Sequence, residues 1–213
     1  TTMLIIITSK KTNTIPSTTN KKCVILGNGP SLRECYDNWG DLLDAKDIYV
    51  TNDFSRTELF TIVKPACYII ADPAFFTQHN PSEVQARVDE VWLEINKATW
   101  RMIVFVPVKY NRKAKIYLTN DILEIIPYNS TRIEGFRAFR YIAYNAQLGM
   151  PRVQNVLIAA LMLSMARNYS NINLWGVDHN WMHHMVLDEN NILCLSNHHF
   201  FNKSKRITPW HRH

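Results

Sequence analysis

The chain has 213 residues, 46% hydrophobic and 20% charged, a globular balance large enough to bury a core without disulfide support. Its net charge of +6 suits an anionic ligand or surface as well as ordinary solubility. No long Lys/Arg run and no basic-aromatic alternation marks a nucleic-acid platform, so nucleic acid is not an expected partner. No stretch reaches the ~18 consecutive apolar residues of a membrane-spanning helix.

Residues 1–22 read as a linker or disordered lead-in, because 9–22 are rich in Ser, Thr, Asn and Lys around one Pro. Residues 23–26 form a short apolar run stopped by Gly27, the pattern of a buried strand. Ser31 then stands as an N-cap for a following helix, with Glu34 at capping-box spacing. A second strand covers 48–50 and ends at Thr51, Asn52 and Asp53. A third covers 66–71 and ends at Asp72 and Pro73. Residues 82–96 carry Val84, Val88, Val91 and Ile95 at helical spacing. A fourth strand covers 102–108, and 116–118 and 123–126 are further strand candidates. Residues 153–167 are apolar nearly all round, which predicts a helix buried against a sheet. The next strand, 172–177, runs into Asp178. From 179 the chain is loop-rich, with a hairpin turn at Asp188, Glu189, Asn190 and Asn191 before 192–195.

Strands alternating with helices predict an α/β fold: a Rossmann-like, mostly parallel sheet with helices on both faces over 23–178. A loop-rich lid would follow over 179–213. Cys23 and Cys67 lie in apolar strand-like runs, and with Cys35 and Cys194 they form no C-x-x-C pair. They read as small buried hydrophobes in a reducing, cytoplasmic setting. Attachment at the inner face of a membrane and homo-oligomer formation stay open. Trp92, Trp100, Trp175 and Tyr141 are assigned to the core, and Arg132, Arg137 and Arg140 to an exposed helix coat.

Parallel sheets bind ligands beyond the carboxyl ends of their strands. Asn28, Asn52, Asp72 and Asp178 all fall at such ends. Between the first strand and its helix lies the loop Gly27, Asn28, Gly29, Pro30, Ser31, Leu32. Glycines allow a tight turn and close approach to a ligand. The amides of a following helix start would favour an anion. The loop is neither G-x-G-x-x-G nor a Walker loop with its lysine, and an ordinary strand-to-helix turn has the same composition.

This loop, together with Thr51-Asn52-Asp53-Phe54, Asp72-Pro73-Ala74-Phe75-Phe76 and Trp175-Gly176-Val177-Asp178, resembles the bacterial sialyltransferases of the Campylobacter type, glycosyltransferase family 42. The loop is also shared with motility accessory factors and with pterin diphosphokinases of the MptE type. The resemblance implies an inverting transfer of a sugar such as sialic acid from a CMP-sugar donor to a glycan hydroxyl. It implies that the loop 27–31 and Asn52 hold the nucleotide, with Asn28 and Ser31 contacting phosphate or ribose. Asp72 stands where the family has Asn, and Asp178 ends the family's Gly-Ile-Asp motif. Arg152 and Gln154 lie near the family's Arg-Ile-Thr-Ser segment, which handles the donor sugar. The family's tyrosine pair is replaced here by His179, Asn180, Trp181 and Met182, leaving His179 or Trp181 to stabilise the leaving phosphate. The family's general base maps to His199 or His198, and an imidazole is suited to that role near neutral pH. The resembled enzymes require no cofactor, and a divalent metal is not expected: neither H-E-x-x-H nor a Cys/His zinc spacing occurs. Two alternatives share the loop. One is an ATP- and Mg²⁺-dependent diphosphokinase, with Asp72, Asp178 and the histidines on metal. The other is a homologue that binds nucleotide without turnover.

Overall fold

In the computed structural model, residues 15–33, 47–77, 79–178, 185–197 and 206–209 are described. Six parallel strands form one sheet: β1 (Lys22–Leu26), β2 (Asp47–Thr51), β3 (Cys67–Ile69), β4 (Met102–Pro107), β5 (Leu123–Tyr128) and β6 (Asn171–Trp175). Their order is β5-β4-β3-β2-β1-β6, a Rossmann-like α/β architecture. The chain steps outward from β1 to β5 one strand at a time, then returns to lay β6 on the other side of β1. The order therefore reverses between β1 and β6, the place where open parallel sheets leave a crevice at their carboxyl ends.

The four central strands, β1 to β4, are buried on both faces, as their apolar residues require, while β5 and β6 are partly exposed. Alternate residues divide between two cores. Val24, Leu26, Ile48, Val50, Tyr68 and Val104 point into one, against α2 (Ser82–Asn96) and the short helices α1 (Leu59–Val63) and α3 (Asn111–Tyr117). Cys23, Ile25, Tyr49, Cys67, Ile69 and Phe105 point into the other, against Ala159, Ala160 and Leu163 of α5 (Val156–Ala166). The small α5 residues let the helix approach β1, β2 and β3 closely. Burial pushes the Cys23 and Cys67 thiols up to about 12, so both are packed as neutral, protonated groups.

Four expectations change. Residues 116–118, a strand candidate, belong mostly to α3, whose seven residues bury Ala114 against the sheet. The lead-in is partly packed: Ile15 is buried in the α5-side core, and the Thr18 amide bonds the Arg167 carbonyl at 3.0 Å. Of the arginines assigned to a helix coat, Arg137 and Arg140 are exposed on helix α4 (Arg137–Asn145), whereas Arg132 lies outside any helix, in a bridge to Met150. Tyr141 of α4, assigned to the core, is exposed, whereas Trp92 is buried. The hairpin turn is present: β7 (Met185–Leu187) and β8 (Leu193–Asn197) pair antiparallel, and β9 (Arg206–Pro209) joins β8. Among the described residues, no helix is long and apolar enough to cross a membrane.

Candidate functional site at the carboxyl edge

Four adjacent strands, β3, β2, β1 and β6, carry Asp72, Asn52, Asn28 and Asp178 respectively just beyond their carboxyl ends. The sequence placed these residues at strand ends; the sheet order makes them neighbours across the switch point.

A run of hydrogen bonds ties the four ends together. The Gly27 amide donates to the Trp175 carbonyl at 2.7 Å, and the Gly29 amide to the Gly176 carbonyl at 2.9 Å. The Ser31 amide donates to Asp178 Oδ2 at 3.2 Å. Asn28 Nδ2 reaches the Thr51 carbonyl at 3.4 Å. Asn52 Oδ1 accepts the Ala71 amide at 3.2 Å, and its carbonyl accepts the Tyr68 hydroxyl. Asp72 Oδ1 caps the following turn by accepting the Ala74 amide at 2.9 Å.

The glycines are needed for close approach. A Cβ on Gly27 would lie 2.3 Å from the Gly176 carbonyl oxygen, and one on Gly29 only 1.9 Å from Asp178 Oδ2. Gly176 adopts φ +68, a conformation open to glycine at little cost. Asn52 also lies in the left-handed region, at φ 41, where Asn is tolerated better than most residues.

This geometry alters the expectation that the loop's amides grip a phosphate. Gly27, Gly29 and Ser31 donate to partners on the β6 side, and Leu32 donates to the Gly29 carbonyl at 3.1 Å. Pro30 has no N–H. The position an anion would take beside Ser31 is filled by the Asp178 carboxylate, so a phosphate there would have to displace it. Ser31 lies within a 3-10 turn over 30–33, and Glu34, its expected capping-box partner, lies outside the described residues. In the same loop, Asn28 Oδ1 is buried with no hydrogen-bond partner.

Two residues given no site role in the sequence reading, Asp53 and Arg87, lie beside Asp72. Asp53, nearly buried, accepts Arg87 Nη1 at 2.8 Å, and Arg87 Nη2 reaches Asp72 Oδ2 at 3.4 Å. The guanidinium also lies 5.7 Å from the Phe75 ring centre. Arg87 thus supplies a cation beside Asp72, where the resembled family has a neutral Asn. The signal available in the sequence was the Asp53–Asp72 pairing of acids at two strand ends, which calls for a cation from a helix packed over them.

Arg152 and Gln154 lie in the turn that leads into α5, with the Gln154 amide on the Arg152 carbonyl at 3.0 Å. Both are exposed. Asn155 caps α5 by accepting the Leu157 amide at 2.9 Å. Helix α5 packs on β1–β3 and leads into the amino end of β6, so its N-terminus lies at the carboxyl edge with the four polar residues. No direct contact joins Arg152 or Gln154 to them among the described residues. His179, His198 and His199 lie outside the described residues, and no cluster of three potential metal-binding side chains occurs within them. No protein-family model matches the chain, and no curated protein matches it.

Proposed function

We propose that the protein is a glycosyltransferase that moves a sugar from a CMP-sugar donor to a glycan hydroxyl. The carrying observation is the row Asp72, Asn52, Asn28 and Asp178 on four neighbouring strand ends across the switch point. Such a row offers amide and carboxylate groups to a nucleoside, and a carboxylate at a strand end suits ribose hydroxyls. The engaged loop amides refine the reading. Asp178 repels phosphate, so the nucleoside lies over Asn28, Asn52 and Asp178, while the phosphate turns toward Arg152 and the N-terminus of α5. Attack of the acceptor oxygen on the anomeric carbon breaks the bond to the CMP phosphate and inverts that carbon. His199 or His198 takes the acceptor proton, and CMP carries away the bonding pair.

Titration calorimetry with CMP in the presence of EDTA tests the binding step. The reading expects metal-independent binding that weakens tenfold or more in Asn28→Ala, which removes the buried, unpartnered carbonyl oxygen. Binding only of ATP, and only with Mg²⁺, would favour the diphosphokinase. For turnover, His199→Ala or His198→Ala should slow transfer by roughly 10²–10⁴. CMP binding with no donor turnover in the wild type would leave a nucleotide-binding homologue.

A further inference from the structure

Helix α4 turns an unusual face outward. Phe136, at its N-cap, is 88% exposed, Ile142 68% and Tyr141 54%. Between them stand Arg137 and Arg140, both exposed, with the Arg137 guanidinium 5.5 Å from the Tyr141 ring centre. The helix has no acidic residue. Its inner side packs Phe139, Ala143 and Tyr144 on Ile133 and Leu148, a small cluster of its own. The Tyr144 hydroxyl bonds the Ile133 carbonyl at 3.0 Å, so the helix is fixed while its outer face stays open.

The position follows from topology. Strand β5 ends at Tyr128 on the carboxyl edge, and α5 begins at Val156 on the same edge. The segment between them runs back along α5: Tyr144, Gln147 and Met150 line a small cavity with Met162, Leu163 and Ala166. The Arg132–Met150 bridge closes the base of this excursion.

We propose that α4 docks the protein on an anionic lipid surface. Exposed rings and an aliphatic side chain flanked by arginines match the layered chemistry of a bilayer interface: acyl chains for Phe136 and Ile142, headgroup phosphates for Arg137 and Arg140. The chain's net charge of +6 has the sign that an anionic leaflet attracts. A stable second copy is less well served. The three apolar side chains expose roughly 400 Å², about half of what each partner in a specific interface buries. Neighbouring Arg132 and Glu134 are paired and add no net charge.

Vesicle co-sedimentation of the full chain tests this. Binding should be strong with phosphatidylcholine vesicles containing phosphatidylglycerol, weak with phosphatidylcholine alone, and reduced by salt. Arg137→Gln with Arg140→Gln should weaken it roughly thirtyfold, the effect of two cations at an anionic surface. Phe136→Ser with Ile142→Ser should weaken it at least as much. All four side chains are exposed, so the variants should melt like the wild type. As an independent readout, Tyr141→Trp should gain a fluorescence component quenched by brominated phosphatidylglycerol. Equal binding by all variants, no preference for the anionic lipid, or an unquenched Tyr141→Trp would overturn the proposal. So would a wild-type dimer, without vesicle binding, that the Phe136/Ile142 variant dissociates.

Discussion

Replacing Gly29 by Ala tests whether the β1 and β6 loops are joined as described. The backbone at Gly29 lies outside the left-handed region, so Ala is admissible there on torsional grounds. The whole effect must come from contact. The new Cβ would lie 1.9 Å from Asp178 Oδ2 and 2.6 Å from the Gly176 carbonyl oxygen, and the second of these is backbone. The loops must part, which breaks the Gly29–Gly176 bond and the Ser31–Asp178 bond. A neutral bond contributes about 1 kcal/mol and one to a carboxylate about 1.5–3 kcal/mol. Asp178 is only half-buried, so the lower end applies, and the loss is roughly 2–3 kcal/mol. For a chain of this size that is a fall of about 4–12 °C in melting temperature. Urea and thermal melts followed by circular dichroism read this directly. Gly135→Ala is the contrasting control. Its φ is +120 but its nearest neighbour atom would be 3.9 Å away, so its effect is torsional, about 1–3 kcal/mol, and confined to the start of α4. A Gly29→Ala protein melting within about 2 °C of wild type would refute the described junction.

Three further outcomes follow from the same rim and core. Asn52→Ala should destabilise by about 2 kcal/mol, combining the lost Ala71 bond with a methyl group held at positive φ, and Asn52→Gly should restore about half of that; equal urea midpoints for the two would show that the backbone conformation is immaterial. Arg87→Met should destabilise by about 2 kcal/mol, because Asp53 is left nearly buried without its cation, the partial exposure of Arg87 keeping the loss below that of a fully buried pair; chemical denaturation measures it. The Cys23 and Cys67 thiols are held up to about 12 by burial, against an ordinary 9.0 in the unfolded chain. The unfolded state therefore loses these protons first, so the stability they contribute is whole below pH 9.0 and drains as pH rises from there towards about 12. Buried Tyr49 and Tyr68, also shifted upward by desolvation, act in the same direction at higher pH. Urea midpoints should be flat from neutral pH to about 9 and then fall, and Cys23→Ala with Cys67→Ala should shallow the onset of that fall.

The sheet was legible because its strands are short apolar runs with clear stops: Gly27 after β1, Asn52 after β2, Asp72 after β3. Period-2 alternation could not reveal which strand neighbours which. The approach of Asp178 to Ser31, 147 residues apart, depends on the return of β6 to β1. The loop's composition suggested open amides, but an amide's partner is a tertiary fact, and here the β6 extension claims three of them. The 116–118 segment misled because Ile116 and Tyr117 are β-favouring residues, while packing of Ala114 decides for helix. Helix α4 was missed because it is short and starts without a capping side chain: its N-cap is Phe136, directly after Gly135.

The engaged carboxylates also separate the two enzymatic readings. A diphosphokinase would need Asp72 and Asp178 free to hold Mg²⁺, an ion that takes oxygen ligands in a near-octahedral shell. Both Asp72 oxygens have partners, the Ala74 amide and Arg87, and one Asp178 oxygen holds the Ser31 amide. A divalent ion at Asp72 would sit against the Arg87 guanidinium, and that repulsion opposes its binding. On the transferase reading, Arg87 competes with any metal for Asp72. The wild type should show the same CMP-induced rise in melting temperature with EDTA as with Mg²⁺, and Mg²⁺ alone should not stabilise it. In Arg87→Met the competitor is gone while Asp53 and Asp72 stay close. Millimolar Mg²⁺ should then recover part of the lost stability, by about 1 kcal/mol if it binds with a Kd several-fold below its concentration. A wild-type protein stabilised by Mg²⁺ and ATP together, and indifferent to CMP, would mean that Arg87 yields its carboxylates to the ion, and the transferase reading would give way to the kinase.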